Sequence, residues 1–238
     1  MKVEASTGED AEPHVGDGVP GLARIYLARH GRTALNAAGA LRGHLDPPLD
    51  AVGRQQAEWL GVALGDRGVR LVVASPLRRA VETAQAVATR AHVGVEIDPR
   101  LIDRDYGRWA GQSKEAVAAQ WGSLDDAPGV EPSAEVRARA WEALADIARQ
   151  AQGEVAVVVS HDAVNRLTLA TLGSGLGDPD QFPQDTGCFN TLDCLDGHWT
   201  VLSVNAVPGS PDRWTVDEDP GWEPTTATHE RGSNGHCG

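Results

Sequence analysis

Four short apolar runs recur along the chain, and between them apolar positions return at helical spacing. Ala23–Arg29, Val69–Ala74, Val93–Ile97 and Glu154–Ser160 are a few residues long and rich in Val, Ile and Leu. Turn formers bound them: Gly68 and Ser75-Pro76 around the second, Asp98-Pro99 after the third. Runs of this kind read as strands buried on both faces. Helical patterns fill the gaps. Asp50 is placed to cap a helix over 51–65, with Val52, Leu60 and Leu64 on one side. Ser75 followed by Pro76 reads as the cap and first position of another. Segments 113–121, 133–152 and 163–172 read as further helices. Phe189–Leu195 and Trp199–Val207, separated by Asp196-Gly197-His198, look like a hairpin or edge strands that finish the sheet. The alternation predicts an α/β fold: a single three-layer domain with a mostly parallel central sheet flanked by helices. Ligands of such sheets collect beyond the C-terminal ends of the strands.

Composition narrows the class. A chain of 238 residues, 41% hydrophobic, is long enough for one well-buried domain. Its longest strictly apolar run, Val155–Val159, falls far short of the roughly 20 residues that span a bilayer. The opening Met1-Lys2-Val3-Glu4 lacks the apolar stretch of a secretory signal, so a cytoplasmic protein with no membrane partner is expected. Three cysteines give no disulfide framework. Cys188 and Cys194, six apart on a predicted strand, read as two buried thiols on one face. With 21 Lys and Arg against 34 Asp and Glu, the net charge of −13 argues against nucleic acid as a partner. The charge is concentrated at the ends. Residues 1–20 and 208–238 each carry a net −4, are rich in Gly, Pro and acid, and are expected to be disordered tails around a domain at 21–207. Trp214 and Trp222 stand out in the second tail.

Three of the predicted strand ends carry unusual chemistry. The first ends in Ala28-Arg29-His30-Gly31-Arg32-Thr33, with Asn36 one turn on. The second runs into Ser75-Pro76-Leu77-Arg78-Arg79-Ala80, and the fourth into Ser160-His161-Asp162. As parallel neighbours, these strands would deliver two histidines and at least two arginines to one pocket. Guanidinium forks match phosphate oxygens, and helix N-termini add N–H donors for the same anion. An imidazole beside a bound phosphate is a competent nucleophile. Arginines and a cationic histidine can hold the charge of a loose phosphoryl transition state, so neither metal nor cofactor is called for.

These blocks resemble the histidine phosphatase superfamily, in its phosphoglycerate-mutase-like branch. The resemblance rests on Arg29-His30-Gly31, Thr33, Asn36, Ser75 to Ala80 and Ser160-His161. It extends to Gly43-His44-Leu45-Asp46-x-Pro48-Leu49, Gly53-x-Gln55-x-Ala57 and Leu101-x-Asp103-x-x-Tyr106-Gly107-x-Trp109-x-Gly111, and takes in most of 23–172. It implies a phosphoglycerate-mutase-like fold and a phosphohistidine formed on His30. Arg29, Arg78 and His161 would complete the phosphate pocket, Asn36 would add a contact, and Gly31 would let the backbone approach the anion. The branch usually takes its general acid from a glutamate at the position of Asp103. The aspartate is one methylene shorter, which leaves Asp105 and Asp162 as competitors behind the favoured Asp103. A His-Asp pair such as His161-Asp162 supplies the acid in the superfamily's acid phosphatase and phytase branch.

Each residue also has a plainer role. His30 and His161 could be structural hydrogen-bonders, Arg79 a solvated first-turn residue, Asn36 and Thr33 turn or cap residues, and Asp162 the cap of 163–172. Mutases of the branch carry a longer insertion with an Arg-Arg segment that grips a carboxylate. Here 57 residues separate Asp103 from His161 and none of them form an Arg-Arg pair. The leading expectation is therefore hydrolysis of a small phosphomonoester. Mutase-type transfer, or phosphate binding without turnover, is the alternative. Specificity is expected from 36–49, 104–132 and 176–190, with Arg42, Arg104, Arg108 and Trp109 as candidate contacts.

Overall fold

Successive residues of each central strand point to opposite sheet faces, and both faces are buried. In the computed structural model, which describes residues 21–172 and 183–209, Ile25 and Leu27 of β1 (Ala23–Arg29) enter one core. Tyr26 and Ala28 enter the other. Strand β4 (Val155–Ser160) divides the same way, Ala156 and Val158 against Val157 and Val159. One core is closed by helices α2 (Ala51–Gly65) and α3 (Arg78–Ala91), through Leu60, Leu64, Ala84 and Val87. The other is closed by α5 (Ser133–Gln150) and α6 (Asp162–Leu172), through Leu144, Ile147 and Leu169. Three layers result, as the pattern predicts. The expected tails at 1–20 and from 210 on, with Trp214 and Trp222, lie outside the described residues, as does 176–182.

The sheet order is β3-β2-β4-β1-β5-β6, with β2 Val69–Ala74, β3 Val95–Ile97, β5 Phe189–Leu195 and β6 His198–Ala206. Strands β1 to β4 pair parallel, β5 is antiparallel to β1, and β6 antiparallel to β5. Only β5 therefore runs against the rest. The hairpin turns on Asp196 and Gly197, whose φ values of 51° and 79° suit the mirror-image turn that Asp-Gly favours. Among the described residues no helix is long and apolar enough to cross a membrane.

Several expectations need correction. Helix α3 starts at Arg78 behind Leu77, without a side-chain cap, because the Ser75 hydroxyl is engaged elsewhere. Asp50 does cap α2, accepting from the Gly53 N–H at 2.8 Å, but Val52 is exposed while Leu60 and Leu64 are buried. Cys188 precedes β5 rather than lying on it, so it does not share a strand face with Cys194, although both are buried. A one-turn helix α1 (Ala34–Ala37) and α4 (Lys114–Trp121) also form. Leu41, Tyr106, Trp109, Val117 and Val130 make a small separate core beside the strand ends.

Candidate active site

Strand register brings the two histidines together. Arg29 of β1 pairs with Ser160 of β4, so the next residues, His30 and His161, leave the sheet side by side. The His30 N–H extends the ladder to the Ser160 carbonyl at 3.1 Å, and the two rings lie 5.1 Å apart between centroids. Strand β2 flanks β4 on its other side, and the Ser75 N–H bonds the Val159 carbonyl. That places the Ser75 hydroxyl 2.7 Å from His161 Nε2.

Both rings are fully buried and oriented. His30 Nδ1 lies 2.7 Å from the Gly31 carbonyl, which can only accept, so Nδ1 carries the proton and Nε2 the lone pair. Arg79 Nε–H donates to that Nε2 at 3.3 Å. Burial first, then the guanidinium charges of Arg79, Arg29 and Arg42, holds His30 well below its ordinary range. Burial and Arg79, with His30 itself, do the same to His161. Without a bound anion both imidazoles are thus disposed to be neutral near pH 7, in contrast to the cationic histidine expected beside a bound phosphate. The Ser75 hydroxyl accepts from the Leu77 N–H at 3.3 Å and is free to donate its own proton to His161 Nε2, the arrangement in which the ring proton sits on Nδ1. His161 Nδ1 has no hydrogen-bond partner among the described residues, and Asp103 Oδ2 stands 3.8 Å away.

The arginine in this cluster is Arg79, not Arg78. Arg79 is fully buried and reaches His30, the Gly43 and Leu45 carbonyls and Asp103 Oδ2, the last at 2.9 Å. Arg78 points outward, its side chain 62% exposed and bonded to Glu82. Helix periodicity explains the difference. Arg79 shares a stripe with Ala80, Thr83, Ala84, Val87 and Ala88, all buried, and Arg78 lies on the polar side with Glu82. That stripe was readable in the sequence. Asn36 is likewise drawn off: its carboxamide oxygen accepts from the Thr33 N–H and hydroxyl, closing a capping box on α1.

The aspartates separate by environment. Asp103 is buried between Arg79 and His161. Asp162, the first residue of α6 rather than its cap, lies beside Arg29 and Arg166. Burial works to raise its carboxyl, and the charges of Arg29 and Arg166 outweigh it, so the net shift is downward. Asp105 is about half exposed and accepts from the Gly107 N–H, with His44 at 3.9 Å. Arg29 is nearly buried, its guanidinium on the Gln184 carbonyl and its Nε without a partner. Gly31 has a packing reason to be glycine besides the expected approach to an anion. A Cβ there would stand 2.4 Å from the Gly53 carbonyl, so the residue lets the loop after β1 press against the start of α2.

A neutral, lone-pair-bearing imidazole ringed by guanidinium groups can attack phosphorus and hold the resulting charge. The model of the histidine phosphatase superfamily (branch 1) matches residues 25–207. The chain belongs to this superfamily. The glucosyl-3-phosphoglycerate phosphatase of Mycolicibacterium vanbaalenii is 40% identical over 96 residues, which is 40% of this chain and 43% of that protein. The chain thus spans less than half the length of that relative. Phosphoserine phosphatase 1 of Hydrogenobacter thermophilus is 27% identical over 196 residues, covering 77% of this chain and 92% of that one. The crystal structure of phosphoglycerate mutase from Bacillus anthracis superposes with a TM-score of 0.71 at 21% identity, over 82% of this chain and 96% of that one. It shows that the fold is phosphoglycerate-mutase-like.

Proposed function

We propose that this histidine phosphatase superfamily member hydrolyses a small phosphomonoester in the cytoplasm through a phosphohistidine on His30, without a metal ion. The observation that carries the reading is the orientation of His30: Nδ1 is tied to the Gly31 carbonyl, and Nε2 faces Arg79 with its lone pair. Phosphatase-named relatives support hydrolysis over mutase-type transfer, and so does the short 104–160 segment without an Arg-Arg pair.

In the first step His30 Nε2 attacks phosphorus, the P–O bond to the alcohol breaks, and the leaving oxygen takes up a proton. Arg29 and Arg79 hold the phosphoryl oxygens, and His161 donates to them from Nδ1–H. Asp103 supplies the proton in this reading. It lies between Arg79 and His161, against the groups that would hold the phosphate. Asp162 is a poor donor because Arg29 and Arg166 hold it as a carboxylate. In the second step water attacks phosphorus, the N–P bond breaks, and the proton of the water returns to Asp103.

The test is His30→Ala with a phosphoenzyme trap. Wild type should yield an acid-labile, alkali-stable phosphoprotein and turn over phosphate esters, whereas the variant should do neither while keeping its fold. Normal turnover by His30→Ala refutes the assignment.

A further inference from the structure

The hairpin β5–β6 carries none of the reacting groups, yet a pair of carboxamides is buried where it meets β1. Asn190 of β5 stands opposite Leu27 of β1 and has no solvent exposure, and Gln184 is 2% exposed. Their side chains bond each other in both directions, Gln184 Nε2–H to Asn190 Oδ1 at 2.7 Å and Asn190 Nδ2–H to Gln184 Oε1 at 3.0 Å. The remaining capacity is used as well. Asn190 donates to the Leu27 carbonyl at 2.8 Å and accepts from the Asn205 N–H at 2.9 Å. Gln184 donates to the Pro183 carbonyl and accepts from Asn165 of α6 at 3.3 Å. Apolar side chains of the same shape would hold a core nearly as well, so the pair points to a need for fixed direction.

What the pair fixes is a turn. The turn clasps both residues at the end of β1: the Gln184 carbonyl accepts from the Arg29 guanidinium, the Cys188 carbonyl accepts from the Arg29 N–H at 2.9 Å, and the Gly187 N–H donates to the His30 carbonyl at 3.1 Å. A Cβ at Gly187 would stand 2.8 Å from that of Gln56 on α2, so the turn is wedged on that side too. From β6, Asn205 holds Asp185 by two bonds, accepting from its N–H at 2.6 Å and donating to its carboxylate at 2.9 Å.

Arg29 depends on this support. Its Nη1 donates to the Gln184 carbonyl, and Asp162 Oδ1 stands 3.6 Å from the same nitrogen. Its Nε has no partner among the described residues and is left for an anion. The carbonyl is neutral and Asp162 is charged, so a turn that drifted would let the guanidinium close onto the carboxylate and away from phosphate. We infer that Gln184 and Asn190 are positioning residues: their carboxamide pair fixes the carbonyl that keeps Arg29 aimed at the phosphoryl group. This deepens the phosphatase reading and rests on Arg29 holding phosphate.

The experiment titrates inorganic phosphate into the full-length protein by calorimetry and measures kcat/KM on an aryl phosphate, well below the Tm of each variant. Gln184→Met keeps the main-chain carbonyl and much of the side-chain volume but ends the pairing. It should weaken phosphate about tenfold and lower kcat/KM with it. Val201→Ala opens the core beneath the same hairpin and should lower Tm without moving either quantity. In an Arg29→Ala background, Gln184→Met should add less than about twofold, because the pair acts through the guanidinium. Asn205 has a φ of 60°, so Asn205→Gly suits the backbone and removes only the clasp on Asp185. It should weaken phosphate in the same direction by a smaller factor, and it carries the test if Gln184→Met does not fold. If Arg29→Ala weakens phosphate while Gln184→Met and Asn205→Gly do not, the inference is overturned and the phosphatase reading stands. The same holds if the loss persists undiminished in the Arg29→Ala background, or if Val201→Ala reproduces it. Phosphate binding and turnover that are indifferent to Arg29→Ala overturn the placement of phosphate on Arg29 and the inference with it.

Discussion

Replacing Arg79 by methionine should cost both stability and turnover, whereas the same change at Arg78 should cost neither by much. Arg79 has no solvent exposure and bonds Asp103 Oδ2, His30 Nε2 and the carbonyls of Gly43 and Leu45. Its removal leaves the Asp103 carboxylate buried beside His161 with no cation in contact. Breaking a buried pair by deleting one partner costs about 3–5 kcal/mol. For a domain of this size that lowers Tm by roughly 6–20 °C. Asp103→Asn added to Arg79→Met should restore most of the loss, because the uncompensated charge goes with it. At Arg78 the partner is Glu82 on the solvent side, and such pairs are worth about 0–1 kcal/mol. The kinetic contrast is sharper. Arg79→Met removes a charge placed against the transferring group and should lower kcat by about 10²–10³-fold. Arg79→Lys should rescue only part of it, since an ammonium cannot bridge His30 and Asp103 as a fork does. The assays are thermal melts by circular dichroism and steady-state release of inorganic phosphate. If Arg78→Met abolishes turnover while Arg79→Met retains it, the placement of the phosphate pocket around Arg79 is wrong.

Three further outcomes are expected. Asp103→Asn should slow alkyl phosphates by roughly 10²–10⁴-fold while sparing aryl phosphates with good leaving groups. The same selective loss in Asp162→Asn instead would move the acid to α6. His30 and His161 are held below their ordinary values, so the unfolded chain binds more protons, and stability is complete above about pH 6.5 and falls as pH drops below it. Each histidine contributes up to about 1.4 kcal/mol per pH unit, and urea melts of His30→Gln should show a shallower slope between about pH 6.5 and 5 than wild type. Activity should survive exhaustive chelation. Loss in chelator with recovery on adding a divalent ion would contradict a charge supplied by arginines alone.

The sheet and its helices were legible because buried parallel strands write themselves as apolar runs, and Val155–Val159 shows this in five consecutive residues. The histidines were legible for the same reason, since each follows such a run directly. What failed was orientation within a helix turn. Ser75-Pro76 is a sound start signal, but the Ser75 hydroxyl bonds His161, so α3 begins later and Arg79 falls on its buried stripe. Asn36 failed on locality: a capping box three residues away satisfies its carboxamide oxygen, and no motif distinguishes that from a ligand contact.

The pairing of neutral histidines with buried guanidinium groups follows from the register of three strands. Beyond the C-terminal end of β4 the chain must supply the neighbours of both β1 and β2, and Ser160-His161 does so with one residue on each side. The Ser160 hydroxyl anchors the Leu101 carbonyl at 2.9 Å, which fixes the approach to Asp103 two residues later. Arg79 then closes the circuit from α3 to that aspartate. Arg79 and Asp103, 2.9 Å apart, come from different parts of the chain, α3 and the segment after β3, so their contact is held by packed elements on either side. A guanidinium fixed in this way cannot be fully neutralised by one carboxylate, and its remaining field adds to burial, the larger cause, in holding both imidazoles below their ordinary range. In the proposed reaction the arginine field that, after burial, helps keep His30 a free base would also stabilise the charge on the transferring phosphoryl group, so nucleophile activation and transition-state stabilisation would draw on the same side chains.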